Sequence, residues 1–449
     1  MKVSFYTLGC KLNYSETSTI ASQFVSAGHS IVPFGEDADC LIINTCTVTE
    51  NADTEARKII RRTLKKSPNA FIGVTGCYAQ LQPEEIASID GVDAVFGTKE
   101  KYSILNSISQ FDKSDSPKIF VSDQEEITDF NESFSFEADS RTRAFLKIQD
   151  GCNYNCSFCT IPLARGASRS MPFENIIPKM KEIEASGYNE IVLTGINLGD
   201  YLFEDKRFVE VIKSIEHSDI SARVRISSIE PNLLTPEIID IVLNSKKFCQ
   251  HFHIPLQSGS SEILGKMRRR YKVQNYKDLI HSIKNTNQDT CIGVDVIVGF
   301  PGETEEHFEQ TFKFLEELPI SYLHVFTYSE RENTPAKELE NPIPYAVRKL
   351  RTARLRQLSE LKKNIFYTSQ VGKKKTVIPE TFTDQTGKWS GYTENYVKVS
   401  FEAVSSLLQI PSVVLLNSFD GNNVQSTIES LQQTIKKEHM KDYFPILIS

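Results

Sequence analysis

Three cysteines fall within one short turn, Cys152-Asn153-Tyr154-Asn155-Cys156-Ser157-Phe158-Cys159, directly after the alternating segment Arg143-Ala144-Phe145-Leu146-Lys147-Ile148. Thiols packed this densely suit a metal cluster rather than a disulfide framework, and three thiolates on a four-iron cluster leave one iron without a protein ligand. That iron is open to a cofactor or substrate, so the loop predicts an enzyme. It also constrains the fold, because parallel βα barrels carry their chemistry on the loops that follow their strands.

The chain has 449 residues, which favours two to three domains over one core, and its 40% hydrophobic and 24% charged residues are ordinary globular values. The opening Met1-Lys2-Val3-Ser4 leads into no signal-peptide run. A cytoplasmic, reducing compartment is therefore expected, where clustered cysteines read as metal ligands. No apolar stretch is long enough for a membrane span. The net charge of −7 argues weakly against nucleic-acid binding, but two local patches counter it. One is Arg57-Lys58-Ile59-Ile60-Arg61-Arg62-Thr63-Leu64-Lys65-Lys66; the other is Lys266-Met267-Arg268-Arg269-Arg270-Tyr271-Lys272. Either can meet phosphates, and each taken alone is equally a solvated helix face.

Residues 1–120 read as a small doubly wound parallel sheet. Apolar runs at 3–8, 41–43 and 70–74 each lead into a cysteine: Leu8-Gly9-Cys10, Asn44-Thr45-Cys46 and Thr75-Gly76-Cys77. Ligands of such sheets sit outside the carboxyl ends of the strands, so Cys10, Cys46 and Cys77 are expected to converge on a second cluster. Cys40, Cys249 and Cys291 share no such placement and read as structural. Residues 121–140, with the acidic and serine-rich stretch from about 112, read as a linker. Residues 141–369 alternate strands and helices: candidate strands at 144–148, 190–193, 223–226, 252–254, 292–298 and 322–326 suit a full or partial parallel barrel, followed by a long basic helix. Residues 370–449 carry short strands that suggest a small β-barrel with a tail, amphipathic over 428–440, to which no function is assigned.

The motifs Thr7-Leu8-Gly9-Cys10-Lys11-Leu12-Asn13, Asn44-Thr45-Cys46-Thr47-Val48-Thr49 and Thr75-Gly76-Cys77, followed by Lys147-Ile148-Gln149-Asp150-Gly151-Cys152, resemble the radical S-adenosylmethionine (SAM) methylthiotransferase family. Further matches are Arg225-Ile226-Ser227-Ser228-Ile229-Glu230-Pro231, His253-Ile254-Pro255-Leu256-Gln257-Ser258-Gly259-Ser260 and Asp295-Val296-Ile297-Val298-Gly299-Phe300-Pro301-Gly302. Gly391-Tyr392-Thr393-Glu394-Asn395-Tyr396 resembles the RNA-contacting TRAM barrel of that family. Leu193-Thr194-Gly195-Ile196-Asn197-Leu198-Gly199 and Leu163-Ala164-Arg165-Gly166 look most like the branch acting on N6-threonylcarbamoyladenosine at position 37 of tRNA.

The resemblance implies two [4Fe-4S] clusters, one on Cys152, Cys156 and Cys159 and one on Cys10, Cys46 and Cys77. It implies SAM on the first, a 5′-deoxyadenosyl radical formed from it, and methylthio delivery from the second. It also implies a tRNA anticodon stem-loop as partner, a flavodoxin- or ferredoxin-type electron donor and a monomer. Phe158, Gly195, Asn197, Ser228, Glu230 and Gln257 are nominated near SAM, although a Gly or Ser after a strand is usually a turn. Arg165 or Arg169 is expected to pair with the threonylcarbamoyl carboxylate. Gly299 and Gly302 match no phosphate loop. Alternatives are the same chemistry on isopentenyladenosine or on a ribosomal-protein aspartate, and a non-catalytic iron-sulfur carrier or RNA-binding scaffold. Zinc is disfavoured, since neither triad offers four ligands in CxxC pairs.

Overall fold

The structure, a computed structural model, describes residues 1–46, 50–107, 111, 113, 116–134, 142–403, 407–431 and 447–448, with only the backbone at 50–53 and 447–448. The Thr47-Val48-Thr49 part of one motif and most of the 428–440 tail lie outside the described residues.

The first region is a sheet of parallel strands in the order Ser30–Ile31, Lys2–Thr7, Cys40–Thr45, Phe71–Gly76, Ala94–Phe96 and Lys118–Phe120. Cys40–Thr45 and Phe71–Gly76 are buried along their whole length, as apolar strands covered on both faces must be. The last two residues with described backbone return to this sheet, Tyr6 pairing with Leu447.

The described part of the stretch expected to be a linker, residues 121–134, packs on both neighbours. Ile127 is buried, Phe130 and Phe134 pack on the central core, and Ser133–Phe134 pairs antiparallel with Ala144–Lys147. Isolated aromatics among polar residues do this anchoring, which composition alone hides.

The second region is an open barrel. Its parallel strands run Ala144–Lys147, Glu190–Thr194, Arg223–Ile226, His251–His253, Cys291–Val298 and Tyr322–Thr327, joined between Arg223–Ile226 and His251–His253 by single bridges at Val224/Phe248 and Ser228/His253. The helix Lys11–Ser26 of the first region lies against its open side: Tyr14 meets Phe145 edge-on at 5.7 Å between centroids, and Phe145 and Val192 belong to the first region's core. The helix Tyr345–Gln370 covers the last strand, with Ser359 Oγ accepting from Leu323 N at 2.8 Å.

The third region is a closed barrel of Lys374–Thr383, Lys388–Thr393, Lys398–Glu402, Val424–Leu431 and Ser412–Phe419. Its segment 391–396, which carries the TRAM resemblance, faces inward. Arg223 donates to Thr376 O at 3.0 Å and Tyr392 O at 2.9 Å, Arg225 donates to Thr393 O at 3.2 Å, and the Tyr396 ring stacks on His251 at 4.5 Å. These residues dock the barrel on the central region.

Candidate cluster and cofactor site

Register brings the N-terminal cysteines together. Thr7 lies opposite Asn44 and Thr45 opposite Gly76, so the three strands end level and Cys10, Cys46 and Cys77 leave from one edge. Close packing enforces this. A Cβ on Gly9 would stand 2.6 Å from Cys46 Cβ and 2.9 Å from Cys46 Sγ, and one on Gly76 would stand 2.2 Å from Thr45 O; both glycines have φ near +100°, at +103° and +101°. Asn13 ties the ends, its Nδ2 donating to Leu8 O at 2.9 Å and Thr45 O at 3.0 Å, while its Oδ1 accepts from Arg165 at 2.6 Å and lies 3.7 Å from Cys10 Sγ. Burial raises the Cys10 thiol pKa and the Arg165 charge opposes it.

Behind this triad lies a buried ion network. Glu16 meets Lys101 at 2.6 Å, Arg165 at 2.9 Å and Lys147 at 3.7 Å. Asp150 meets Arg165 at 3.0 Å, Lys147 at 3.3 Å and Arg169 at 3.7 Å. Four cations thus face two carboxylates. Burial is the largest single influence on Glu16 and would raise its pKa, but Arg165, Lys101 and Lys147 together hold it down to about 2. Buried surplus positive charge is costly unless an anion offsets it. A thiolate-ligated cluster is such an anion, and Cys77 and Cys10 lie close enough to act on the Arg165 charge.

This placement corrects one expectation. Arg165 is 1% exposed and already bonded to Glu16, Asp150 and Asn13, and Arg169 donates to Asp129 O, Arg165 O and Ala167 O. Neither is free for a substrate carboxylate. Arg165 instead connects the two cysteine sites, because it ends the helix Ile161–Arg165 that follows Cys159 and packs on the helix Cys77–Leu81.

In the cysteine loop, Cys152, Cys156 and Cys159 are near enough for each charge to act on the others. Burial pushes the Cys152 thiol up to about 11 and that of Cys159 up to about 12. Donors point at the sulfurs: Tyr154 N lies 3.4 Å from Cys152 Sγ and Arg269 Nη1 lies 3.0 Å from Cys156 Sγ. Arg269 also pairs with Glu230. The sequence marks Arg269 only as part of a phosphate patch; no local signal separates it from Arg268 and Arg270, which are exposed. Arg270 instead covers the Tyr154 ring at 3.8 Å. Each triad offers three sulfurs and no fourth ligand within its motif, the donor set of a four-iron cluster with one open iron.

The nominated residues gather at the carboxyl ends of the barrel strands, with different roles. Gln257 has φ +69° and an unpartnered buried Oε1; the Asn197 carboxamide, 3% exposed, makes no full hydrogen bond and has a weak contact with the Tyr154 hydroxyl. Such under-satisfied groups fit a polar cofactor. Ser228 bridges to His253. Gly195 is closed in by the protein itself, since a Cβ there would lie 2.9 Å from Leu198 and 3.0 Å from Gln149 Oε1. Phe158 packs against a small cluster with Phe300 and Tyr328. Gly299 presses on Arg348, whose Cγ would be 2.3 Å from a Cβ, and Gly299 N donates to Glu303, so this turn serves packing. Cys40, Cys249 and Cys291 are buried at 0%, 2% and 1% exposure.

Residues 146–315 match the Radical SAM superfamily and residues 2–97 match Uncharacterized protein family UPF0004. The chain is 39% identical to threonylcarbamoyladenosine tRNA methylthiotransferase MtaB of Bacillus subtilis, across 98% of this chain and 99% of that one. It is 36% identical to the protein of that name from Aquifex aeolicus, across 92% and 100%, and 32% identical to tRNA-2-methylthio-N(6)-dimethylallyladenosine synthase of Clostridium botulinum, across 92% and 94%. In fold alone it resembles the radical SAM methyltransferase TsrM of Kitasatospora setae, with a TM-score of 0.52 at 14% identity over 75% of this chain and 77% of that one. With two cysteine triads joined through Arg165 and this identity across nearly its whole length, the chain belongs to the radical SAM tRNA methylthiotransferase family.

Proposed function

We propose that this enzyme adds a methylthio group to C2 of N6-threonylcarbamoyladenosine at position 37 of tRNA. The observation that carries it is the meeting of two cysteine triads through adjacent helices, Cys77–Leu81 and Ile161–Arg165, in a chain 39% identical to an MtaB protein. The dimethylallyladenosine reading rests on a relative of 32% identity and is second.

An adenine C2–H is neither acidic nor bonded to a leaving group, so polar catalysis has little to act on; the clusters and SAM, when bound, supply the radical and sulfur chemistry it needs. In this reading Cys152, Cys156 and Cys159 ligate the SAM-binding cluster and Cys10, Cys46 and Cys77 the second one. Arg269 fixes the loop by bonding Cys156 and Glu230 at once. Asn197 and Gln257 offer buried polar atoms to SAM. The helix Lys11–Ser26, packed on the first barrel strand through Tyr14 and Phe145, walls one side of the space between the triads. The exposed Lys266, Arg268, Arg270 and Lys272 form a basic rim beside the cysteine loop, suited to the phosphates of an anticodon stem-loop whose base 37 is splayed inward.

A domain division of 1–120, 141–369 and 370–449, a flavodoxin- or ferredoxin-type electron donor, a monomeric state and a cytoplasmic location complete the proposal. Among the described residues no helix is long and apolar enough to cross a membrane. The test is anaerobic reconstitution followed by incubation with SAM, reductant and threonylcarbamoylated tRNA, read by mass spectrometry of the digested nucleosides. A methylthio gain on that nucleoside supports the reading; 5′-deoxyadenosine formed without modified tRNA removes the substrate assignment.

A further inference from the structure

The cleft between the helix Lys11–Ser26 and the open barrel holds a lysine without a partner. Lys11 directly follows Cys10 and begins that helix. One turn on, Tyr14 packs on Phe145 of the first barrel strand at 5.7 Å, so this face of the helix is turned to the barrel's inner side. Residues 12–18 are buried while Lys11 is exposed, and its ammonium makes no ion pair or hydrogen bond among the described residues. Charges around it are already matched. Arg143 pairs with Glu380 at 3.0 Å, Arg225 with Glu190 at 2.7 Å, and Asp295 is bonded to His253 at 2.7 Å.

We propose that Lys11 forms a carboxylate-binding subsite, meeting the threonine carboxylate of the target nucleoside and so selecting threonylcarbamoyladenosine over uncharged adenosines. C2 and C6 flank N1 on one edge of adenine. A group that holds the N6 substituent must therefore stand beside the place where C2 reacts, and Lys11 stands one residue from a cysteine of the N-terminal triad. The assignment rests on the substrate proposed above. The terminal nitrogens of Arg165 and the guanidinium of Arg169 are engaged by the protein, which leaves the role open to Lys11. The ammonium reaches water and lies near enough to Arg143, Arg225 and Glu190 for their charges to act on it, which places it towards the inner side of the barrel. Glu380 and Glu190 neutralise those two arginines, so the charge left for an incoming anion is that of Lys11 itself.

The test uses anaerobic holoenzyme titrated with an anticodon stem-loop carrying threonylcarbamoyladenosine, its neutral methyl ester, or plain adenosine at position 37. Lys11→Met is expected to weaken the threonylcarbamoyl RNA about tenfold, the scale of a charge-assisted hydrogen bond, and the other two RNAs less than about twofold. Lys11→Arg retains most of the preference. On the wild type, the ester alone should cost a similar factor, which decides the matter even if a Lys11 variant loses iron. Equal losses on all three RNAs, or no ester penalty on the wild type, overturn the subsite. Absence of methylthio product from wild type and threonylcarbamoyl RNA overturns the substrate reading instead, whatever Lys11 does.

Discussion

The two cysteine triads reach similar donor sets by opposite routes. In the barrel, Cys152, Cys156 and Cys159 share one loop, and the fold adds distant supports such as Arg269 and Glu230. In the N-terminal sheet the cysteines come from three strand ends, and nothing local joins them. Their approach depends on register, on Gly9 and Gly76, and on Asn13 bridging two strand ends. The first site is a local structure that tertiary contacts tune; the second exists only once the sheet and the buried Glu16 network have formed. The second is accordingly more sensitive to anything that loosens the fold.

The sharpest way to break this comparison is to remove one sulfur from each site. Cys152→Ala and Cys46→Ala should both abolish methylthiolated tRNA. Only Cys152→Ala should also stop 5′-deoxyadenosine formation from SAM, measured by chromatography of the quenched reaction. Loss of SAM cleavage in both variants would show that the sites are not separable.

Next in size is the buried network. Glu16→Gln leaves Lys101, Lys147 and Arg165 short of a counter-charge and should destabilise the fold by ~3–5 kcal/mol, read by urea unfolding. It should lower iron bound at the N-terminal triad, shown by iron content in a Cys152→Ala background. The same group predicts acid sensitivity. Its folded pKa of about 2 lies below the ordinary 4.5, so its contribution is present above pH 4.5 and lost as pH falls towards 2. The loss is about 3 kcal/mol across that window. Unfolding curves at pH 3 and 6 that coincide would contradict it.

Arg269→Met should reduce product formation by about 10–100-fold, the usual cost of removing a partner of a ligand. Arg269→Lys should fail to restore it, because a point charge cannot serve Glu230 and Cys156 together. A changed electron paramagnetic resonance signal from the barrel cluster, with the N-terminal one unaltered, would sharpen the distinction. Smallest is Gly195→Ala, whose Cβ would meet Leu198 and Gln149. Overpacking there should cost ~1–3 kcal/mol of stability by thermal denaturation and leave the iron content of both sites unchanged.

The chain's own order made much of this legible. The six barrel strands were readable as short apolar runs, because a strand buried on both faces needs a continuous apolar stretch. The three strand-end cysteines were readable because a parallel sheet aligns its carboxyl ends. The packing of residues 121–134 was not legible, because Ile127, Phe130 and Phe134 are single anchors in polar surroundings. Arg165 was misread for a related reason: its position beside the loop is a sequence property, but Glu16 and Asn13 are 149 and 152 residues away.

By itself, then, the sequence determined which residues carry sulfur, which runs become strands and which family the motifs resemble, since these follow from spacing and periodicity. Tertiary structure alone decided which cations are spent inside the protein and which face the cleft. Arg165, Arg269 and Lys11 carry the same charge. Only packing distant segments against one another assigns the first to Glu16 and Asp150, the second to Cys156 and Glu230, and leaves the third without a partner.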